Sequence, residues 1–487
     1  MESMCREDDR HETKNELKRL LYRILSEYSG KTLPWGNLTG IRPTKIPMAL
    51  LNQGLKNSEI AEYMRKTYYT SNEKTALAIA IANREHFLLE KLNPEKHAVQ
   101  AGGRAAFGSG YSLYVGIPFC PSICLYCSFS SSPIALWRSQ VDDYLNTLMY
   151  EIDAVAEMLP HRHPDTIYIG GGTPTTLEPE QMDRLLHKLE EHFDVGGALE
   201  FTVEAGRPDS ITREKLQVLK DHGVTRISIN PQTMNQETLD FIGRKHTTVQ
   251  TMEAFALARE MGFDNINMDL IVGLPGEGAS EVEHTMQVLR GMDPDSITVH
   301  SLAVKRAARL RLFKEEHQEL SFENSSEIMD MTARYTREAG LFPYYLYRQK
   351  NMAGNFENVG YAREGCEGLY NILIMEEIQS IIALGAGAST KLVRDGAAQI
   401  PNTPGQDGTL HIPNTPGQDG TPHIPNKPGQ DGTLNMQNRS GKNDLLQAQE
   451  AHLPEKRIER VENVKDIRNY MERIDEMIER KRAGLYE

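Results

Sequence analysis

The chain is poor in cysteine, with five in 487 residues, and three of those five fall within eight positions. So few thiols exclude a disulfide scaffold, and a long chain with 39% hydrophobic residues does not need covalent staples to hold a core. An apolar run of transmembrane length is missing, and the charged start Met1-Glu-Ser-Met-Cys-Arg-Glu-Asp-Asp-Arg10 is no signal peptide. These absences place the chain in the cytoplasm, where thiols stay reduced. Positive charge is also in deficit: 54 Lys plus Arg against 68 Asp plus Glu gives a net charge of −14. A general nucleic-acid footprint is therefore excluded, and any anionic ligand must meet a local basic patch. There is no glycine fingerprint for a dinucleotide either, because the triplet Gly170-Gly-Gly172 lacks the GxGxxG spacing and its acidic partner.

What is present centres on Cys120, Cys124 and Cys127 in Gly116-Ile-Pro-Phe-Cys-Pro-Ser-Ile-Cys-Leu-Tyr-Cys-Ser-Phe129. Structural zinc closes its tetrahedron with four ligands, usually from paired C-x-x-C units, and no second pair follows. Three soft thiolates suit an iron–sulfur cluster that keeps one iron open, with structural zinc or plain buried thiols as the alternatives.

Strand and helix signals alternate after Ser112. Short β-rich apolar runs at 112–119, 166–170, 199–205, 226–230, 265–274 and 295–302 are separated by helix-periodic stretches. Six such units predict a parallel sheet with right-handed crossovers, either a partial barrel or a doubly wound sheet. The motifs share one rim, at the carboxyl ends of these strands: the cysteine loop, the glycine triplet, Glu204, Gln232 and Asp269. Before this region, residues 1–105 read as a mostly helical domain. Its first helix spans 14–28 with Leu17, Leu20, Leu21, Ile24 and Leu25 at helical spacing. After the barrel region at 106–342 comes a small C-terminal domain at 343–399, set over the mouth. A repeat insert follows at 400–443, then a C-terminal helical segment at 444–487, its pattern resuming at Ile458. The unit Ile400-Pro-Asn-Thr-Pro-Gly-Gln-Asp-Gly-Thr-Leu-His411 recurs twice, and its composition predicts an uncored, turn-rich or disordered insert.

The C-x-x-x-C-x-Tyr-C pattern resembles that of the radical S-adenosylmethionine (SAM) enzymes. Tyr114-Val-Gly-Ile-Pro-Phe-Cys120 and Tyr168-Ile-Gly-Gly-Gly-Thr-Pro-Thr175 resemble the oxygen-independent coproporphyrinogen III oxidase branch. Three further stretches resemble the HemZ-type coproporphyrinogen dehydrogenases: Leu33-Pro-Trp-Gly-Asn-Leu-Thr-Gly-Ile-Arg-Pro-Thr-Lys45, Tyr347-Arg-Gln-Lys-Asn-Met-Ala-Gly-Asn355 and Leu384-Gly-Ala-Gly-Ala-Ser-Thr-Lys391.

The resemblance implies a (β/α)6 partial barrel, with a [4Fe-4S] cluster on Cys120, Cys124 and Cys127. It implies SAM contacts from Tyr114, Gly171, Gly172, Thr173 and Glu204, and a second SAM lined by Tyr126, Gln232, Arg244 and Asp269. The implied reaction is oxidative decarboxylation of two propionates of coproporphyrinogen III to vinyl groups, fed by an electron donor such as a flavodoxin or ferredoxin. The rival readings are a haem chaperone of the same branch and a radical SAM enzyme with another substrate. Because the substrate carries four carboxylates, Lys305, Arg306 and Arg309, in a stretch with five basic residues and no acid, are expected to bind it, with Arg348 and Lys350 next in line. No histidine is assigned a role, His246 and His300 included, and Cys366 is expected to be a free thiol.

Overall fold

The computed structural model describes residues 10–92, 110–159, 163–303, 324–349, 352–394 and 457–486. All six predicted strands form: β1 (Tyr111–Ile117), β2 (Pro164–Gly171), β3 (Glu200–Glu204), β4 (Arg226–Ser228), β5 (Ile266–Val272) and β6 (Ser296–Ser301). They pair in parallel in chain order, and at least one helix separates each from the next. This is the (β/α)6 partial barrel.

Alternation along the strands divides the side chains. Leu113, Val115 and Ile117 are fully buried in the core shared with the outer helices, as are Ile167, Ile227 and Met268. The intervening positions are polar and meet one another on the inner face. Thr166 Oγ1 donates to Ser112 Oγ at 2.8 Å, and Ser296 and Thr298 both donate to Asn267 Oδ1 at 3.1 Å. Arg226 on β4 reaches past β5 to Ser296 Oγ on β6 at 3.0 Å, which requires the sheet to curve. The inner face is thus rich in hydrogen-bonding groups, which satisfy one another across the strands.

Within 343–399, expected as a small domain over the mouth, the described strands join the barrel sheet. They extend it at both edges. β7 (Phe342–Tyr347) and β8 (Asn358–Ala362) continue antiparallel beyond β6. β9 (Ile381–Leu384) lies parallel to β1, and β10 (Ser389–Arg394) is antiparallel to β9. With β11 (Arg457–Glu462) the described residues give an eleven-stranded sheet in the order β11-β10-β9-β1-β2-β3-β4-β5-β6-β8-β7. Edge positions beside β1 and β6 offer unpaired backbone groups, and these segments satisfy them.

Between the two edges runs the helix Leu369–Glu376. Its first amides, Leu369 N and Tyr370 N, donate to the Glu200 carboxylate at 2.6 and 3.3 Å, so a β3 side chain caps it. The described N-terminal helices fall in the same compact unit as the barrel strands. The helix Asn72–Leu92 packs on β7, with Ala82, Leu88 and Leu89 against Tyr344, Tyr345, Ile372 and Leu373.

The first helix extends over Arg10–Ser29, but Leu17, Leu21, Ile24 and Leu25 are exposed instead of buried. At the other end, the helical spacing from Ile458 is overridden by pairing at the sheet edge. β11 comes first, and helices Ile467–Glu472 and Ile474–Tyr486 follow. The repeats at 400–434 lie outside the described residues.

Candidate functional site

The cysteine loop leaves β1 and is fastened at several points. Phe119–Cys120 pairs in parallel with Ser132–Pro133, closing its base. Leu125 N donates to Ile242 O at 2.9 Å, and Ser122 Oγ donates to Gly243 O at 3.1 Å. The glycine triplet closes the near side: Gly172 N donates to Ile117 O at 2.7 Å and Thr173 N to Phe119 O at 2.6 Å. A Cβ on Gly172 would stand 2.5 Å from Phe119 O, so this position needs glycine for the backbones to meet.

All three thiols are free, with Cys124 buried and Cys120 and Cys127 half-buried. Each has a donor of its own. Thr173 Oγ1 is 3.6 Å from Cys120 Sγ, Arg207 Nη1 is 4.0 Å from Cys124 Sγ, and the backbone at Phe129 serves Cys127. Burial pushes the Cys120 and Cys127 thiols up, so iron must displace protons to bind. Among the described residues, no three His, Cys, Asp or Glu side chains are grouped as ligands of one metal ion. Three thiols on one loop suit a cluster, in which each cysteine would hold a different iron.

Next to this loop, Glu204 ends β3 and accepts the Tyr168 hydroxyl at 2.5 Å. Burial pushes its carboxyl up to about 7, opposed by the Tyr168 hydrogen bond and reinforced by the charge of Asp269. Tyr168 stacks on Tyr114, with ring centroids 6.2 Å apart, and on Tyr370 of the capped helix at 4.4 Å. Gly171 adopts φ +104°, open only to glycine, and a Cβ there would lie 3.0 Å from the Tyr114 hydroxyl. Tyr114, Gly171, Gly172, Thr173 and Glu204 are thus one contiguous wall beside the thiols.

The second predicted group is also brought together. Arg244 donates to Tyr126 Oη at 3.0 Å, and to Gly206 O and Asn230 O at 2.8 and 2.6 Å. Gln232 holds φ +67°, rare for a residue with a side chain. Its amide donates to Asp269 O at 2.9 Å, while its buried Oε1 has no partner. Asp269 receives Asn267 Nδ2 at 2.7 Å and faces His300 Nε2 at 3.8 Å. Burial opposes its ionisation, but His300, Asn267 and Thr298 outweigh that and hold the carboxyl below its ordinary range.

Sequence reasoning passed over Tyr168, Tyr370, Arg207 and the His300–Asp269 contact. Tyr168 and Arg207 could have been suspected from their places, one before the glycine triplet and the other three positions past Glu204. Tyr370 could not, because its helix arrives from the far end of the chain. His246 is fully buried with neither ring nitrogen bonded, and burial and two arginines push it down to about 3, so it stays neutral. Cys366 is free, as expected.

Lys305, Arg306, Arg309 and Lys350 lie outside the described residues. Arg348 is held by neutral acceptors, with its buried Nε left unbonded. It donates to Leu38 O at 2.9 Å and Asn355 Oδ1 at 2.7 Å, and sits 5.7 Å from the Trp35 ring centre. It therefore joins the two stretches at 33–45 and 347–355. Trp35 Nε1 and Lys74 Nζ complete that join on the fully buried Glu357, at 2.7 and 2.6 Å.

Comparison with known proteins agrees with this geometry. The Radical SAM superfamily model matches residues 114–289. The oxygen-independent coproporphyrinogen-III oxidase-like protein HemZ of Bacillus subtilis (strain 168) is 42% identical over 385 residues, 78% of this chain and 74% of that one. The heme chaperone HemW of the same organism is 42% identical over 199 residues, 40% of this chain and 51% of its own. The oxygen-independent coproporphyrinogen III oxidase of Escherichia coli (strain K12) is 32% identical over 192 residues, 39% and 42% of the two chains. With three free thiols on the rim of a (β/α)6 barrel and a relative matched over most of its length, the chain belongs to the radical SAM superfamily, in the family of HemN, HemW and HemZ, which uses a [4Fe-4S] cluster and SAM.

Proposed function

We propose that this chain is an oxygen-independent coproporphyrinogen III dehydrogenase. The observation that carries the proposal is the extent of the HemZ likeness, 78% of the chain at 42% identity, whereas the chaperone matches cover 40% and 57% of it. The stretches at 33–45 and 347–355, absent from the barrel itself, support it further, because they pack on one another.

In this reading Cys120, Cys124 and Cys127 hold the cluster. When bound, cluster and SAM together supply the hydrogen-abstracting radical that starts loss of carbon dioxide from a propionate. The protein's part is orientation and exclusion of water. Tyr114, Gly171, Gly172, Thr173 and Glu204 receive the amino and carboxylate groups of the SAM nearest the cluster, with Glu204 as the acceptor for the ammonium. Tyr126, Gln232, Arg244 and Asp269 form the second SAM subsite. The free Gln232 Oε1 is the acceptor there, and Arg244 holds Tyr126 in place. Lys305, Arg306 and Arg309 take the propionates. An electron carrier such as a flavodoxin or ferredoxin feeds the cluster in the reducing cytoplasm. No helix among the described residues is long and apolar enough to cross a membrane.

The chaperone reading keeps weight from the 42% identity to HemW over 199 residues. The two separate on SAM cleavage in the anaerobically reconstituted chain. Coproporphyrinogen III should stimulate it and haem should not. Tight haem binding with no stimulation by coproporphyrinogen III would favour the chaperone.

A further inference from the structure

The loop after β3 carries an ion pair that none of these roles uses, its arginine buried and its carboxylate reaching solvent. Arg207 is 3% exposed. Its Nε and Nη2 donate to Asp209 Oδ1 and Oδ2 at 3.0 and 2.9 Å, a two-pronged pair that fixes the guanidinium plane. That leaves Nη1 turned to the cysteine loop, where it meets Ser122 Oγ at 3.1 Å, Ser122 O at 3.3 Å and Cys124 Sγ at 4.0 Å. The other buried arginine nearby is committed elsewhere, since Arg244 spends both Nη atoms on Tyr126, Gly206 and Asn230. Among the donors set against the three sulfurs, the Thr173 and Ser131 hydroxyls, the Phe129 backbone amide and the Arg207 guanidinium, only the guanidinium is charged, and it faces the most buried thiol.

The reduction potential of an iron–sulfur cluster follows its net charge, the hydrogen bonds to its sulfurs and its exposure to solvent. Adding an electron concentrates negative charge on the cluster and its thiolates. A buried N–H that carries positive charge favours that state more than the oxidised one, and in this setting water screens it little. Asp209 opposes the effect, holding a negative charge on the far side of the same guanidinium.

We infer that Arg207 is a positioning residue that fixes Cys124 and raises the reduction potential of the cluster, with Asp209 limiting how far. This rests on the assignment of the cluster to Cys120, Cys124 and Cys127. Its consequence is a cluster that its electron donor reduces more readily.

The test is an anaerobic redox titration of the reconstituted full chain, followed by the electron paramagnetic resonance signal of the reduced cluster. Arg207→Gln should shift the ratio of oxidised to reduced cluster at a fixed potential about tenfold toward oxidised, which is about 59 mV for one electron. Asp209→Asn should shift it the opposite way, and Arg207→Lys should stay nearer wild type than Arg207→Gln. A mere tether to Ser122 predicts lost iron without signed shifts. Shifts of the same sign in the Gln and Asn variants, or potentials unchanged at full iron content, would overturn the inference. If Arg207→Gln takes up no cluster, Asp209→Asn decides alone, and a potential at or below wild type contradicts the role. A wild-type chain that binds no cluster defeats the underlying assignment instead.

Discussion

The Tyr168 hydroxyl reaches Glu204 Oε1 across 2.5 Å inside the barrel, and the carboxyl it meets is held up at about 7 by burial. At neutral pH Glu204 is therefore about half protonated before a ligand arrives. If the carboxylate form receives the SAM ammonium, binding must release that proton. With the SAM ammonium itself titrating at about 7.8, the competent fraction rises about fourfold from pH 6 to pH 8, and the apparent Kd of SAM should fall by about that factor. Isothermal titration across this range checks it. Glu204→Gln should bind more weakly, without that pH step.

Iron content tests the cysteine loop. The reconstituted chain should hold about four irons. Replacing Cys120, Cys124 or Cys127 by alanine should remove the cluster, while Cys366→Ser should leave it near wild type. Zinc bound one per chain with full activity would contradict the assignment.

Gly172→Val is expected to damage two things together. The new side chain would press on Phe119 O and Ile117 O, which carry the cysteine loop, so cluster content should fall along with SAM cleavage. Full iron content in this variant would mean that the loop can move aside.

The C-terminal helix is tied to the barrel by a buried ion pair, Lys481 with Glu151, both fully inaccessible. Glu151 also receives Asn463 Nδ2, Tyr470 Oη and Gly385 N at 2.8, 2.6 and 2.8 Å. Tyr144 then links Ala386 N to Gly116 O, at the root of the cysteine loop. Lys481→Met leaves a buried carboxylate without its cation and should cost about 3–5 kcal/mol, read by denaturant unfolding.

The barrel was legible because its strands are short β-rich runs between periodic helices, a local signal. The thiols were legible because their spacing matches a chemistry. What escaped was set by contacts distant in sequence. Ser112 pairs with Ile381, so the chain near 381 continues the barrel sheet where composition suggested a new domain. Arg348 looked like a free cation, but its Nη1 and Nη2 are engaged by Leu38 O and Asn355, with Nε left unbonded. Ile458 and Val461 keep helical spacing, yet pairing at the sheet edge makes them a strand.

The most direct test of the proposed function is product analysis after anaerobic incubation of the reconstituted chain with coproporphyrinogen III, SAM and a low-potential reductant. Protoporphyrinogen IX should accumulate, with 5′-deoxyadenosine formed in proportion to the vinyl groups. Coproporphyrinogen III recovered unchanged from a chain that carries its full cluster and cleaves SAM would contradict the account.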